Sequence, residues 1–348
     1  MSQLRRTQLL TGRLFPAAVC AAAAVAFFVF ASSATAVVLI NDTWRDDTDT
    51  DPASPTYSEM GTDADADGDL ESAWYQGGAG SLNPVAGGGP GPQRGDLGAG
   101  GTGSGSWTTY FTPEATPVTL SGPGSNMRLT WRFTLGNVGA ANTSQNFRFA
   151  VVDTPSAARL VANGSPGVAA YTGYAIFGNM GVSPLGNTNP FALRERVVAS
   201  GNMLSAAADW GANGVANGTL ANGATTGNAG YANNTTYTLN WLMTRTSLGG
   251  LEHRITMTGG TLNNTGTASI TFTDATPNSF VYDTFSLRPS SAVGTAQIFD
   301  TSLFRIETNV PELASVVGWA LIGLTVCCCA GVRRWYIAGT AAARVENV

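Results

Sequence analysis

The sequence predicts an all-β exported domain, an antiparallel β-sandwich of jelly-roll type, set between a signal helix and a C-terminal transmembrane helix. Three observations carry that reading. Gly, Ser, Thr and Asn dominate the middle of the chain, with 43 Gly in 348 residues, a composition that suits many turns and opposes helical bundles. Residues Met127 to Leu135 alternate apolar and polar without exception, the period-two pattern of a strand with one buried and one wet face. The longest apolar runs lie at the two ends of the chain.

Taken in order, residues 1–36 form a signal peptide. Arg5, Arg6 and Arg13 supply the basic region, an apolar run follows from Phe15 to Phe30, and Ala34-Thr35-Ala36 is a small-x-small cleavage site with the cut after Ala36. The alternative is an uncleaved N-terminal anchor. Residues 37–310 are the exported body. Five aspartates fall between Asp42 and Asp51 and five more acidic residues between Asp63 and Glu71. Residues 77–105 are rich in Gly, Pro and Ser and predict a long loop. Strands are expected at 107–112, 127–135, 145–153, 170–178, 191–198, 236–246, 251–258, 267–273, 279–288 and 297–306. An Ala/Asn/Gly-rich insertion loop is expected over 199–234. Leu129, Trp131, Phe133, Phe147, Phe149, Leu239 and Trp241 should point into one core. No fixed-period repeat is visible, which opposes a propeller or solenoid.

The C-terminal run from Leu313 to Val332 is uninterrupted and apolar. Its twenty residues would cover about 30 Å as a helix, the thickness of a bilayer core. Arg333 and Arg334 follow and should stay in the cytoplasm, with 335–348 as a cytoplasmic tail and the body outside. Cys20 falls in the signal peptide and Cys327, Cys328 and Cys329 in the apolar run. The body therefore has no disulfide and no cysteine-ligated zinc. It carries 12 Arg against 21 Asp and Glu and no Lys, so nucleic-acid binding is excluded for want of a basic stripe.

Few residues in the body point to chemistry. Asp63-Ala64-Asp65-Ala66-Asp67-Gly68-Asp69 matches the first half of a calcium loop, whose alternating oxygens around a Gly turn suit a hard cation. Its twelfth position is Trp74, where a bidentate Glu is usual, so the alternative is a solvated acidic loop. Asp283 and Asp300 are a second candidate pair for a structural Ca²⁺. Trp74, Tyr75 and Arg194 are candidate sugar contacts, since aromatic faces and guanidinium groups both suit sugar rings; the alternative for such aromatics is core packing. No other cofactor is expected. His253 is the only histidine, and its strand pattern places it equally well on a wet face. No nucleophile elbow and no catalytic cysteine occur in the body, so no catalytic residue is assigned.

Two resemblances sharpen this reading. A signal peptide, a β-rich body, Pro311-Glu312, a membrane helix and the terminal pair Arg333-Arg334 resemble the PEP-CTERM class of exported bacterial proteins. The family's usual Pro-Glu-Pro is here Pro311-Glu312-Leu313, and the tail runs fourteen residues past Arg334. The resemblance implies residues 311–334 as a sorting segment and an exosortase-type enzyme as processing partner. In the body, Asp42-Thr43-Trp44, Ser72-Ala73-Trp74-Tyr75, Phe147-Arg148-Phe149, Leu193-Arg194-Glu195-Arg196 and Tyr282-Asp283-Thr284-Phe285 resemble bodies of planctomycete and verrucomicrobial proteins of that class, similar to concanavalin- or LamG-like jelly rolls. The expectation is a non-catalytic surface or matrix protein of a Gram-negative-type bacterium that contacts extracellular polysaccharide. The alternative is a polysaccharide lyase or hydrolase on the same scaffold, with Arg194 or Arg196 neutralising a uronate and His253 or a Tyr as base.

Overall fold

The computed structural model describes residues 36–45, 48, 58–59, 61–64, 66–78, 81–84, 93–96, 105–145, 147–289 and 296–309. Ala34, Asp65, Pro311, Glu312, the apolar run 313–332, Arg333 and Arg334 lie outside them, and Ala36 is the first described residue. No helix among the described residues is long and apolar enough to cross a membrane.

The described residues form nineteen strands. In the first third these are β1 (Val37–Asp42), β2 (Trp74–Gly77), β3 (Ser81–Pro84), β4 (Gln93–Asp96), β5 (Ser106–Tyr110) and β6 (Val118–Thr119). There follow β7 (Asn126–Gly136), β8 (Phe147–Asp153), β9 (Thr172–Gly178), β10 (Phe191–Arg196), β11 (Trp210–Ala212), β12 (Val215–Ala216) and β13 (Ala221–Asn222). The last are β14 (Thr236–Arg245), β15 (Leu251–Thr258), β16 (Thr267–Asp274), β17 (Val281–Tyr282), β18 (Thr284–Pro289) and β19 (Ile298–Asn309).

They assemble into two large antiparallel sheets. The first runs β16-β15-β14-β7-β19-β4-β3, with β1 also on β19. The second runs β12-β11-β10-β9-β8-β18-β5-β2, with β13 on β10. The small pair β17-β6 stands apart from both. The register of β7 sets Leu129, Trp131 and Phe133 opposite Trp241, Leu239 and Tyr237 of β14, so one face of each strand is apolar throughout. Trp131 lies across the gap between the sheets, with ring centroids 6.3 Å from Phe149 of β8 and 5.9 Å from Phe285 of β18. Its indole N–H donates to Thr301 Oγ1 at 3.2 Å, which meets the polar requirement of a buried Trp. The seven residues expected in the core are all buried there.

Both stretches expected as loops contain strands. Within 77–105, β3 and β4 pair with each other and β4 with β19. Within 199–234, β11 and β13 both pair with β10. These strands are two to four residues long, too short to show a period, and their Gly and Asn content hides them in a turn-like composition. They are held by neighbouring strands and not by local propensity.

Candidate functional site

The second sheet has two covered faces. Its inner face packs on the first sheet. Its outer face carries a smaller core of Ala150, Val152, Tyr171, Ala175, Phe177, Ala192, Met203, Leu204 and Trp210. Tyr171, Met203, Leu204 and Trp210 belong to the segments that precede β9 and follow β10, which fold back over the sheet.

Strand alternation places the arginines of β8, β10 and β18 under this cover. Arg288 lies directly opposite Arg148 in the ladder. The guanidinium carbons of Arg148 and Arg194 stand 4.8 and 4.5 Å from the centroid of the Phe177 ring, a cation–π arrangement. Arg148 and Arg194 are each only 8% exposed. Arg148 donates to the carbonyl oxygens of Leu204 and Ser205, and Arg194 to Gln145 Oε1 at 2.7 Å. Burial and the charges of Arg288 and Arg194 push the Arg148 guanidinium down to about 10. Arg196, one step along the same face, is treated differently. It pairs with Asp209 Oδ2 at 2.7 Å and donates to the carbonyls of Met203 and Gly201. Burial raises the Asp209 carboxyl, but the bonds from Ser200 and Gly201 and the Arg196 charge outweigh it and leave the group below its ordinary value.

A cavity of about 290 Å³ opens beside these arginines, bounded by Ser106, Ser165, Asn202, Ser205, Ser286 and Arg288 among others. Among the described residues, its lining offers hydroxyl, amide and guanidinium groups and no carboxylate.

The acidic loop is the second candidate. Among the described residues, Asp67, Asp69 and Glu71 bring one carboxylate oxygen each within 4.8 Å of one another. Asp63 is not in that group; its Oδ2 accepts the Gly68 N–H at 3.1 Å, and the Gly68 backbone is left-handed with φ +100°. Asp69 is 2% exposed. Its Oδ2 accepts the N–H and hydroxyl of Thr43, both at 2.7 Å, while Oδ1 is buried with no hydrogen-bond partner. Asp67 is held above the ordinary carboxylate value by burial and by the charges of Asp69 and Asp63. Glu71 was not singled out from the sequence, although it falls at the ninth position of the calcium-loop template, whose ligand often acts through water.

The remaining candidates are elsewhere. Trp74 faces the inner core, 4.9 Å from Phe304 and 6.2 Å from Phe285 between centroids, and its indole N–H donates to the buried Asp42. Tyr75 is buried on the outer face against Tyr110. Neither presents a ring to solvent, and none of the three expected sugar contacts lines the cavity; Arg194 is on the same face, across the Phe177 ring from Arg148. Asp283 is fully buried and already engaged by Arg159 at 2.7 Å and by Thr154 N–H at 3.0 Å, and among the described residues neither it nor Asp300 belongs to a group of three or more metal-ligating side chains.

His253 corrects the wet-face expectation: it lies on the inner face of β15, wholly buried. Its Nδ1 accepts the Trp241 indole N–H at 3.2 Å, and the Tyr174 ring lies 4.3 Å away. Burial pushes it down to about 3, so it is neutral at any ordinary pH. His253 is thus inside the sandwich, whereas Arg194 and Arg196 project from the opposite side of the second sheet. The sheet itself separates His253 from the arginines that it would have to work with as a lyase base, while Tyr171 lies on the arginines' side, with the Arg196 guanidinium 5.9 Å from its ring centroid.

No protein family matches the chain, and no curated protein matches it. Solved structures that resemble it include a protein of unknown function from Shewanella oneidensis MR-1, at 13% identity and TM-score 0.33, over 68% of this chain and 78% of that one. The metal-free carbohydrate recognition domain of Emp46p aligns at 9% identity and TM-score 0.37, over 69% and 88% of the two chains. The Ca²⁺/Man-bound exoplasmic/lumenal domain of VIP36 aligns at 10% and 0.34, over 74% and 88%. At this level of superposition none of them assigns the chain a ligand or an activity.

Proposed function

We propose that the body is a non-catalytic, jelly-roll-like carbohydrate-binding sandwich of an exported surface or matrix protein, with the cavity beside Arg288 as its binding site. The supporting observation is that cavity. It is near the lower end of ligand-site volumes, about 300–1,000 Å³, and its hydroxyl, amide and guanidinium lining matches the hydrogen-bonding groups of a sugar. Titration of the chain with a panel of soluble polysaccharides and their monosaccharides tests this. Saturable binding that Ser205→Trp abolishes supports the reading, because Ser205 is an exposed residue at the cavity edge. Absence of binding to every polysaccharide overturns it.

Export through residues 1–36, anchoring through 313–332 and processing by an exosortase-type enzyme at Pro311-Glu312 complete the proposal. Their support is the sequence pattern. Pro311 disfavours helix at Val310 and so keeps an extended stretch outside the apolar run, and Glu312 is costly to bury in lipid. A reporter fused after Val348 should be active only in the cytoplasm. Glu312→Ala should block a processing step that removes the segment from Leu313 onward. An intact peptide across 310–334 in exported protein, with an exosortase present, leaves only anchoring.

A structural Ca²⁺ at Asp67, Asp69 and Glu71 belongs to the same proposal. The buried, unpartnered Oδ1 of Asp69 supports it, since a buried charged oxygen without a partner is costly. Added Ca²⁺ should raise the melting temperature and Asp69→Asn should remove that response; an unchanged melting curve in Ca²⁺ and in chelator would contradict it.

A further inference from the structure

Resting on the carbohydrate-binding reading, we infer that the cavity beside Arg288 is an oxyanion subsite, which selects polysaccharides whose sugars carry a carboxylate or a sulfate. The other arginine buried on this face has a carboxylate partner, Arg196 with Asp209, and the half-buried Arg159 has Asp283. Arg148 and Arg194 are as well buried but hold only neutral acceptors, the Leu204 and Ser205 carbonyls and the Gln145 amide oxygen. Burial of a cation without a counter-charge is costly, and Arg148 is further opposed by Arg288 across the ladder. The local field therefore favours an anion, and the cavity is where one can enter.

The roles divide between the three arginines. Arg288 borders the cavity and makes the direct contact; its planar fork suits a carboxylate or sulfate bidentately. Arg148 acts from behind. It fixes the Leu204 and Ser205 backbone, which forms the facing wall of the same cavity, and adds its charge to the site. Arg194 adds the third charge from the far side of Phe177. The exposed Asn202 offers a donor and an acceptor to the hydroxyls of the sugar that bears the anion, while the Ser106 and Ser165 hydroxyls bond each other at 3.0 Å and the buried Ser286 hydroxyl is taken by Thr108 and the Trp107 carbonyl. The body as a whole is acidic, 21 Asp and Glu against 12 Arg, so long-range attraction does not draw polyanions to it indiscriminately.

The test is calorimetric titration of the full chain with polygalacturonate, dextran sulfate and neutral dextran, and with inorganic sulfate alone. Binding of at least one anionic polymer should exceed that of dextran by about 10- to 100-fold, the equivalent of one charged hydrogen-bonded contact. The first two polymers separate the carboxylate source from the sulfate source. Arg288→Gln should remove that preference, as should Ser205→Glu, which puts a negative charge at the cavity edge on an exposed residue. Arg254→Gln, on an exposed arginine of the other sheet, should leave it intact. Equal affinity for dextran and both polyanions, unaltered by Arg288→Gln, overturns the subsite while the carbohydrate-binding reading stands. Binding to none of the polymers removes both. Inorganic sulfate that binds as tightly as either polyanion overturns the saccharide assignment.

Discussion

The two sheets treat the same sequence pattern in opposite ways. In the first, β7 and β15 alternate buried and open positions along their length, so polar side chains such as Arg128, Arg132 and Arg254 reach water. In the second, β10 reads Phe-Ala-Leu-Arg-Glu-Arg, again alternating in part, yet all six residues are buried, as are all five of β5. The difference comes from what lies outside each sheet. The segments before β9 and after β10 cover the second sheet and leave its arginines under a layer of protein. Period two therefore reports strand and face faithfully, but which face meets water is decided by chain segments far away in sequence.

Substitutions can break this contrast. The largest effects are expected in the inner core, which both sheets share. Trp131→Ala should cost about 3–5 kcal/mol in denaturant unfolding, through lost burial and the cavity left behind. Asp209→Ala should cost a comparable amount, about 3–5 kcal/mol, because it strands Arg196 as a buried cation. The same change on the open sheet, Glu252→Ala opposite the exposed Arg254, should cost less than about 1 kcal/mol. Similar values for the two pairs would mean that the outer face of the second sheet is not covered.

Acid should act on the inner core through His253. Its folded value lies well below its unfolded value near 6.5, so its contribution is fully present above pH 6.5 and is lost as the pH falls towards 3. The loss between pH 6.5 and pH 4 should be on the order of 3 kcal/mol, and His253→Gln should flatten that part of the stability–pH profile. A smaller effect of opposite sign is expected at Asp153, at the end of β8. Burial and the charges of Asp283 and Glu114 push it up to about 6. Its penalty appears as the pH rises from about 4 through 6 and persists above. Asp153→Asn should then stabilise the protein by about 1 kcal/mol at pH 7, once solvent screening is allowed for, and leave it unchanged at pH 4.

The long strands were legible because their alternation is strict: Trp131 and Phe149 are placed by local pattern alone, and the structure sets both in the core. β3, β4, β11 and β13 were not, because strands of two to four residues exist only by pairing. The site was legible in fragments. Arg194 could be singled out as a charge on a strand, but Arg148 and Arg288 join it only through the ladders that run from β10 through β9 and β8 to β18. Asp67, Asp69 and Glu71 fall at the fifth, seventh and ninth positions of one local motif, and all three could be read from it, whereas Asp63 at its first position stays outside the group. His253 shows the limit most plainly. In sequence His253 suits either face equally, and the structure puts it inward with Leu251 and Ile255 while Glu252 and Arg254 face out.

The account rests on the outer face of the second sheet being a closed layer with one polar opening, and hydrogen exchange measured by mass spectrometry tests that most directly. Peptides from β8 and β10 should be protected as strongly as those from β7, and an acidic polysaccharide should slow exchange further in 199–206 and 284–289 while leaving 251–258 unchanged. Fast exchange in β10 and in 199–212, indifferent to any polysaccharide, would contradict it.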